Sequence, residues 1–392
     1  MSCRAALRRD FTGVPGGKTG DLPRRAAYPA ADGLATGWRV AGETRIGLET
    51  RNGLETQIGL TAAIVSVGVS ANGAEPRVVT VRSGFEIPES HRRGDEPPPH
   101  RDALPGAPFD PERFRTLQDG LRAVAEDAAG LTLRYVEQLY SFGDRYRDPH
   151  ELFGGPRSLV VGYLALLREA PLRIDGAEWR GLYEFFPWED WRDSPPALLD
   201  SVIRPALARW VAAAPDEPAR ARRGERARMA FALDGGEWDS ERVLERYELL
   251  YEAGLVVEAF RDHDLARRAG VEERTVRLEM PRALGRPMAR DGRRVLATAL
   301  ERLRGKLKYR PIVFELLPPT FTLHQLQQVV EALSGERLHK QNFRRLMISG
   351  GLVEPTGRYE SQTGGRPAEL YRFRRSAILE RTSTGAIAAP ED

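Results

Sequence analysis

The sequence predicts an α+β chain in two parts: a mixed strand-and-helix body, then a basic helical module that ends in a hairpin. Three observations predict it. The first half alternates apolar strand-like runs with an amphipathic helix. The last third carries apolar residues at helical spacing between clear start and stop signals. The charge is divided as well: residues 282–375 hold 19 Lys/Arg against 8 Asp/Glu, a net of +11, while the whole chain is only +3. A basic module on an acidic body points to a polyanion for one end only.

Taken in order, residues 1–57 are rich in Gly, Ala, Arg and Pro and read as a disordered extension. They contain a six-residue near-repeat, Thr44–Glu49, Thr50–Glu55 and Thr56–Thr61. Order is expected from Leu60. Thr61–Val69 reads as a strand, Asn72-Gly73 as a hairpin turn and Arg77–Arg82 as the return strand. A polar loop over 83–102 follows, then a helix over 113–129 with Phe114, Leu117, Leu121 and Val124 on one face and Gly130 as its stop. Leu131–Tyr140 and Ser158–Leu167 read as strands, the second central because its middle is wholly apolar. Trp179, Trp188 and Trp191 read as core that joins domains. A helix is expected over 197–213, a charged break over 215–226, a helix over 239–254 and a linker over 261–287.

Val295, Leu296, Ala299, Leu300 and Leu303 mark the first helix of the basic module. Thr322 and Gln325 form a capping box, and Leu323, Leu326, Val330 and Leu333 follow on one face up to Ser334-Gly335. The next helix, from Lys340, turns Phe343, Leu346 and Met347 to a core and Lys340, Gln341, Asn342, Arg344 and Arg345 outward. Leu352–Glu354 and Leu370–Phe373 read as two strands around a loop holding Gly357, Arg358, Gly365 and Arg366. Helix, turn, basic helix and hairpin is the order of a winged helix-turn-helix. Arg and Lys can pair bidentately with guanine, and Asn and Gln with adenine, in a major groove. The glycines let the loop approach phosphates, to which Arg358 and Arg366 add charge. His339 precedes the second helix and either meets a phosphate or caps.

The body resembles a known family. Leu104-Pro105-Gly106, a helix ending at Gly130-Leu131, Tyr135–Asp144 and Arg147-Asp148-Pro149 are similar to a Nudix domain. Leu303–Tyr309, Phe314–Pro318, Lys340–Arg345 and Gly365–Phe373 look like the carboxyl-terminal part of the Nudix-related transcriptional regulators (NrtR-like). Phe185–Trp191 resembles the NadQ-type branch, regulators of NAD biosynthesis. The resemblance implies a degenerate Nudix-like α/β/α sensor over 58–215, a helical connector over 216–287, a winged helix-turn-helix over 288–376 and a flexible tail over 377–392. It also implies a repressor of NAD-metabolism genes, double-stranded DNA with a near-palindromic operator as partner, and a homodimer.

An active Nudix box reads Arg-Glu-(apolar)-x-Glu-Glu-x-Gly, its carboxylates sharing one helix face to hold the divalent metal that activates water. Here the stretch is Arg122-Ala123-Val124-Ala125-Glu126-Asp127-Ala128-Ala129-Gly130. Aligned on Arg122, the first carboxylate is replaced by Ala123; aligned on Gly130, the acidic positions become Val124, Asp127 and Ala128. Either register loses a ligand. The expected body therefore senses without hydrolysing, needs no cofactor and holds no metal; the alternative is a hydrolase acting on ADP-ribose or a related dinucleotide. The implied effector is NAD, ADP-ribose or ATP. Arg122, Glu126, Arg145, Arg147 and Arg157 are its candidate ligands, with Phe142 or Tyr146 to stack on adenine; each is equally at home as a plain surface residue. The single cysteine, Cys3, excludes an internal disulfide framework. No apolar run reaches membrane-span length and no signal-peptide pattern is present, so a cytoplasmic protein is expected.

Overall fold

The computed structural model describes residues 48–49, 55–70, 73–82, 102–145, 149–271, 284–309, 312–360 and 367–374. All of them lie in one compact unit, Arg45–Asp392. The expected tail lies outside the described residues, as does most of the expected extension.

The body is built on a twisted mixed sheet. Strand β2 (Glu55–Ser70) runs parallel to β7 (Arg157–Leu166) and antiparallel to β3 (Gly73–Arg82), giving the order β4-β3-β2-β7-β6 with β4 at Asp102–Ala103 and β6 at Tyr135–Phe142. Three short strands extend it: β1 (Leu48–Glu49) and β5 (Gly106–Pro108) on β2, and β8 (Glu178–Gly181) on β3. The sheet thus begins before residue 58, the boundary expected from sequence. Pairing across β1 and β2 draws part of the near-repeat into the fold.

Alternation along β2 divides two cores. Leu60, Ala62 and Ile64 face helix α1 (Leu117–Ala129), together with Val161, Tyr163 and Ala165 of β7. Ala63, Val65 and Val67 face the opposite way, with Leu164 and Leu166. α1 starts later than the expected residue 113 because Thr116 is its cap, accepting from the Asp119 N–H at 3.1 Å. It stops where Gly130 turns left-handed at φ 67°.

The second face of the sheet is covered by α3 (Leu182–Phe185), α8 (Gly292–Tyr309) and α9 (Leu323–Ser334), with α6 (Val243–Glu252) packed on α8. This completes the α/β/α order, but with a consequence the sequence hid. α8 and α9 belong to the carboxyl-terminal module, so body and module share one core. A Cβ on Gly162 of β7 would meet Val295 of α8 at 3.2 Å, so the sheet and α8 nearly touch there.

Two further expectations change. The charged break over 215–226 is helix α5 (Glu217–Phe231), started by Asp216, whose carboxylate accepts from the Ala219 N–H at 2.7 Å. Its arginines stay outside while Ala227, Ala230 and Phe231 are buried, so a dense run of charge here marks a solvated helix face and no break. The linker begins with helix α7 (Val257–Arg268), whose Leu265 packs on Leu152 of the short helix α2 (Pro149–Leu152), and residues 272–283 lie outside the described residues. The helix expected over 197–213 is a π-helical turn (Leu199–Ile203) running into α4 (Arg204–Ala212). No described helix is long and apolar enough to cross a membrane.

Candidate nucleic-acid interface and effector site

Helix α9 opens with the capping box read from sequence. Thr322 Oγ1 accepts from the Gln325 N–H at 3.1 Å, and Gln325 Oε1 accepts from the Thr322 N–H at 2.8 Å. Gly335 ends it at φ 76°. Val329, rather than Val330, is fully buried on its apolar face. The turn that follows is fixed from inside. Gln327 Nε2 donates to Glu331 Oε1 and to the Leu338 carbonyl, both at 2.9 Å, while Glu331 Oε1 also accepts from the Leu338 N–H at 3.0 Å. The opposite Glu331 oxygen accepts from Arg337 at 3.2 Å. These buried bonds set the angle at which the next helix leaves.

That helix is α10 (Lys340–Ser349). His339 caps it, Nδ1 accepting from the Asn342 N–H at 3.5 Å, which is one of the two roles left open for His339. Phe343 is buried, while Lys340, Gln341, Asn342, Arg344 and Arg345 are all exposed. Lys340, Arg344 and Arg345 form no ion pair among the described residues, so their charge stays available to a polyanion. Arg345 donates to Asn342 Oδ1 at 3.0 Å, so these two would present donors and acceptors as a pair. Leu346 departs from expectation: it is 50% exposed. The buried stripe is centred between Phe343 and Met347, and Leu346 lies about 60° to the far side of Phe343.

The wing is a three-stranded sheet. β10 (Val353–Glu360) pairs with β11 (Ala368–Phe373), which pairs in turn with β9 (Phe321–Thr322). Phe314 stacks on Phe373 at 4.1 Å and anchors the hairpin to the module. Gly357 and Arg358 lie within β10 rather than in the loop, at an irregularity between Pro355 and Tyr359 where Gly357 takes φ 71°. Arg358 is exposed there. Gly365 and Arg366 lie outside the described residues.

The expected effector ligands that lie among the described residues sit in two separate places. Arg122 is engaged within the fold: its guanidinium donates to the Leu133 carbonyl and, at 3.2 Å, to that of Arg134. It holds the loop before β6 and is not free for phosphate. Glu126 beside it is exposed and accepts from Thr132 at 3.4 Å. Arg157 donates to the Gly143 carbonyl at 3.1 Å, next to Arg145, which pairs with Glu151 at 3.5 Å. Arg122 and Glu126 therefore sit at the start of β6 and Arg145 and Arg157 at its end, roughly 24 Å apart along the strand. Phe142 is buried under Arg294, so it cannot stack on a base. Arg147 and Tyr146 lie outside the described residues. Val124, one of the two candidate first-carboxylate positions, is buried in the α1 core, and among the described residues no three acidic, His or Cys groups gather to hold a metal.

The sequence reading missed the joint behind the interface. Glu189 is fully buried and meets two arginines. Arg246 of α6 binds it bidentately at 2.5 and 2.9 Å, and Arg304 of α8 donates to it at 2.5 Å. Arg304 also donates to the Leu333 carbonyl at the end of α9, at 3.2 Å. Tyr183 donates to the Ala332 carbonyl at 2.7 Å, and the Trp191 N–H to that of Gly335 at 2.7 Å. Arg337 in the turn reaches the Arg192 carbonyl at 3.1 Å. Residues 183–192 thus clasp the end of α9 and the turn that aims α10. A carboxylate inside the run Phe186–Trp191 was the available signal, since buried acids need cationic partners.

Residues 313–373 match the model of the NrtR DNA-binding winged helix domain. A curated relative, the ADPR responsive transcriptional repressor NtrR of Acinetobacter baylyi, is 42% identical over 94 residues, covering 24% of this chain and 37% of the relative. The match spans little more than a third of that relative's length. Shewanella oneidensis NrtR solved with a 27mer DNA is 18% identical, with a TM-score of 0.45 over 82% of this chain and 95% of that one. A MutT/nudix family protein from Enterococcus faecalis is 16% identical, with a TM-score of 0.43 over 82% of this chain and 87% of that one. Both overlays are loose. Over residues 313–373 the chain is thus similar to the NrtR DNA-binding winged helix domain, and through this module it is NrtR-like.

Proposed function

We propose that this protein is a sequence-specific DNA-binding repressor of NAD-metabolism genes whose Nudix-like body senses an adenine nucleotide. The observation that carries the reading is α10. It exposes Lys340, Gln341, Asn342, Arg344 and Arg345 on a helix whose exit angle is fixed by buried Gln327 and Glu331. Those side chains suit guanine and adenine edges, with Arg358 and Arg366 on the wing for phosphates. A cytoplasmic homodimer would set two such helices in successive major grooves about 34 Å apart, so the operator is near-palindromic. The curated relative is named for its response to ADPR, which makes ADP-ribose the first effector to test, ahead of NAD and ATP.

The body in this reading binds without hydrolysing, because α1 offers Ala123 or Val124 where the active box needs its first carboxylate. Nucleotide binding shifts DNA affinity only if two arrangements of body and module bind nucleotide unequally. The clasp at residues 183–192 is where such a difference would pass.

The test is fluorescence anisotropy of the full chain on its own upstream region and on promoters of NAD-biosynthesis genes, at fixed salt, with and without each nucleotide. Specific binding that a nucleotide alters supports the reading. Magnesium-dependent release of a nucleoside monophosphate, lost on Glu126→Gln, would replace it with the hydrolase.

A further inference from the structure

The outward face of α10 is not purely polar. Ile348 is 53% exposed on it. At about 100° per residue, Ile348 returns to within about 20° of Gln341 after seven residues. Gln341, Arg344, Arg345 and Ile348 therefore form one stripe, opposite buried Phe343. Leu346 lies on the flank beside Asn342. A lone aliphatic elsewhere on the surface would need no account, but this one sits among the donors that the proposed function assigns to base edges.

We infer that Ile348 reads thymine, its branched side chain covering the C5 methyl group in the major groove. The inference rests on the DNA-binding reading of α10. Thymine is the base that offers a methyl group there, and aliphatic contact is the chemistry that recognises it. The surroundings favour a duplex over a second apolar surface: Arg344 and Arg345 flank Ile348 along the helix, and neither pairs with a carboxylate among the described residues. From Gln341 to Ile348 the stripe spans roughly 10 Å, about three base pairs. The thymine therefore lies at the far end of the subsite from the base met by Gln341.

The experiment starts by selecting an operator from random duplexes with the full chain. Each thymine of one half-site is then replaced singly by deoxyuridine, which removes only the methyl group, and affinity is read by anisotropy. For the wild type we expect one thymine position whose replacement weakens binding about fourfold, the value of one buried methyl-sized group. Ile348→Ala should erase that response while keeping discrimination at guanine positions, and Ile348→Val should retain it. The inference is overturned if no position responds in the wild type, or if Ile348→Ala keeps the response. It is also overturned if the variant changes the oligomeric state in sedimentation with the methyl response intact, which makes Ile348 a chain–chain contact. A selection that enriches no sequence overturns the DNA-binding reading itself, and is distinguishable from all of these.

Discussion

Replacing Glu189 by Gln keeps the shape of the side chain and removes its charge. The structure gives the consequence. Two guanidinium groups, Arg246 and Arg304, lose their shared carboxylate in a place that water does not reach. The amide NH2 of the substituted side chain would also point donors at donors. Removing one partner of a buried ion pair costs about 3–5 kcal/mol. Part of the loss is offset, because Arg246 keeps the Asp239 carbonyl at 2.8 Å and the Trp238 ring at 4.0 Å, and Arg304 keeps the Ser240 carbonyl at 2.9 Å. We expect about 3 kcal/mol, the low end of that range. Urea unfolding followed by tryptophan fluorescence reads it, since Trp188 and Trp191 flank the site. Glu169→Gln, which breaks the exposed pair with Arg77, is the control and should cost about 0–1 kcal/mol. Operator affinity of the folded fraction should fall too, because the same network holds the end of α9. A Glu189→Gln protein within about 1 kcal/mol of wild type, with unchanged operator affinity, would refute this account of the joint.

Arg344→Ala and Arg345→Ala should each weaken operator binding by about 1–3 kcal/mol, measured by anisotropy; unchanged affinity in a folded double variant contradicts their role at the bases. Gly335→Ala should destabilise the chain by roughly 1–3 kcal/mol, because φ is 76° and a Cβ would run into the Glu189 carbonyl; a neutral effect on the urea midpoint speaks against the tight approach of clasp and α9. Burial pushes the Glu137 carboxyl up, but hydrogen bonds from Lys306 and Tyr135 and the charges of Lys306 and Arg302 outweigh it and hold the group below the ordinary carboxylate value. Its contribution is therefore complete above the ordinary carboxylate range and lost as pH falls through the depressed value. Glu137→Gln should flatten the acid side of the stability profile, and an unchanged profile would remove the β6–α8 bridge from the account.

The module was legible because its signals are local. The Thr322–Gln325 box, the Gly335 stop and the spacing of α10 each act within a few residues, and each stands where the sequence put it. Leu346 escaped the pattern because the apolar stripe leans toward Met347, and only packing against the rest of the module sets that lean. The body was legible in its strands, where alternation at Leu60–Val67 separates two cores. The effector residues were not. The Nudix resemblance put Arg122 and Arg157 among the ligands of one effector, yet β6 separates them, and Arg122 is engaged by carbonyls of its own loop. The clasp depends on residues 57 and 115 positions apart, which no local pattern reports. The charged α5 shows the converse: a run rich in arginine looks like a break until its few buried alanines find a partner surface.

Anisotropy of the full chain on its selected operator, titrated with ADP-ribose at fixed salt, tests the central claim most directly. The account predicts sequence-specific binding whose affinity shifts as ADP-ribose is added and whose nucleotide is recovered intact. Binding that ignores sequence and nucleotide alike, or hydrolysis of the added ADP-ribose, would contradict it.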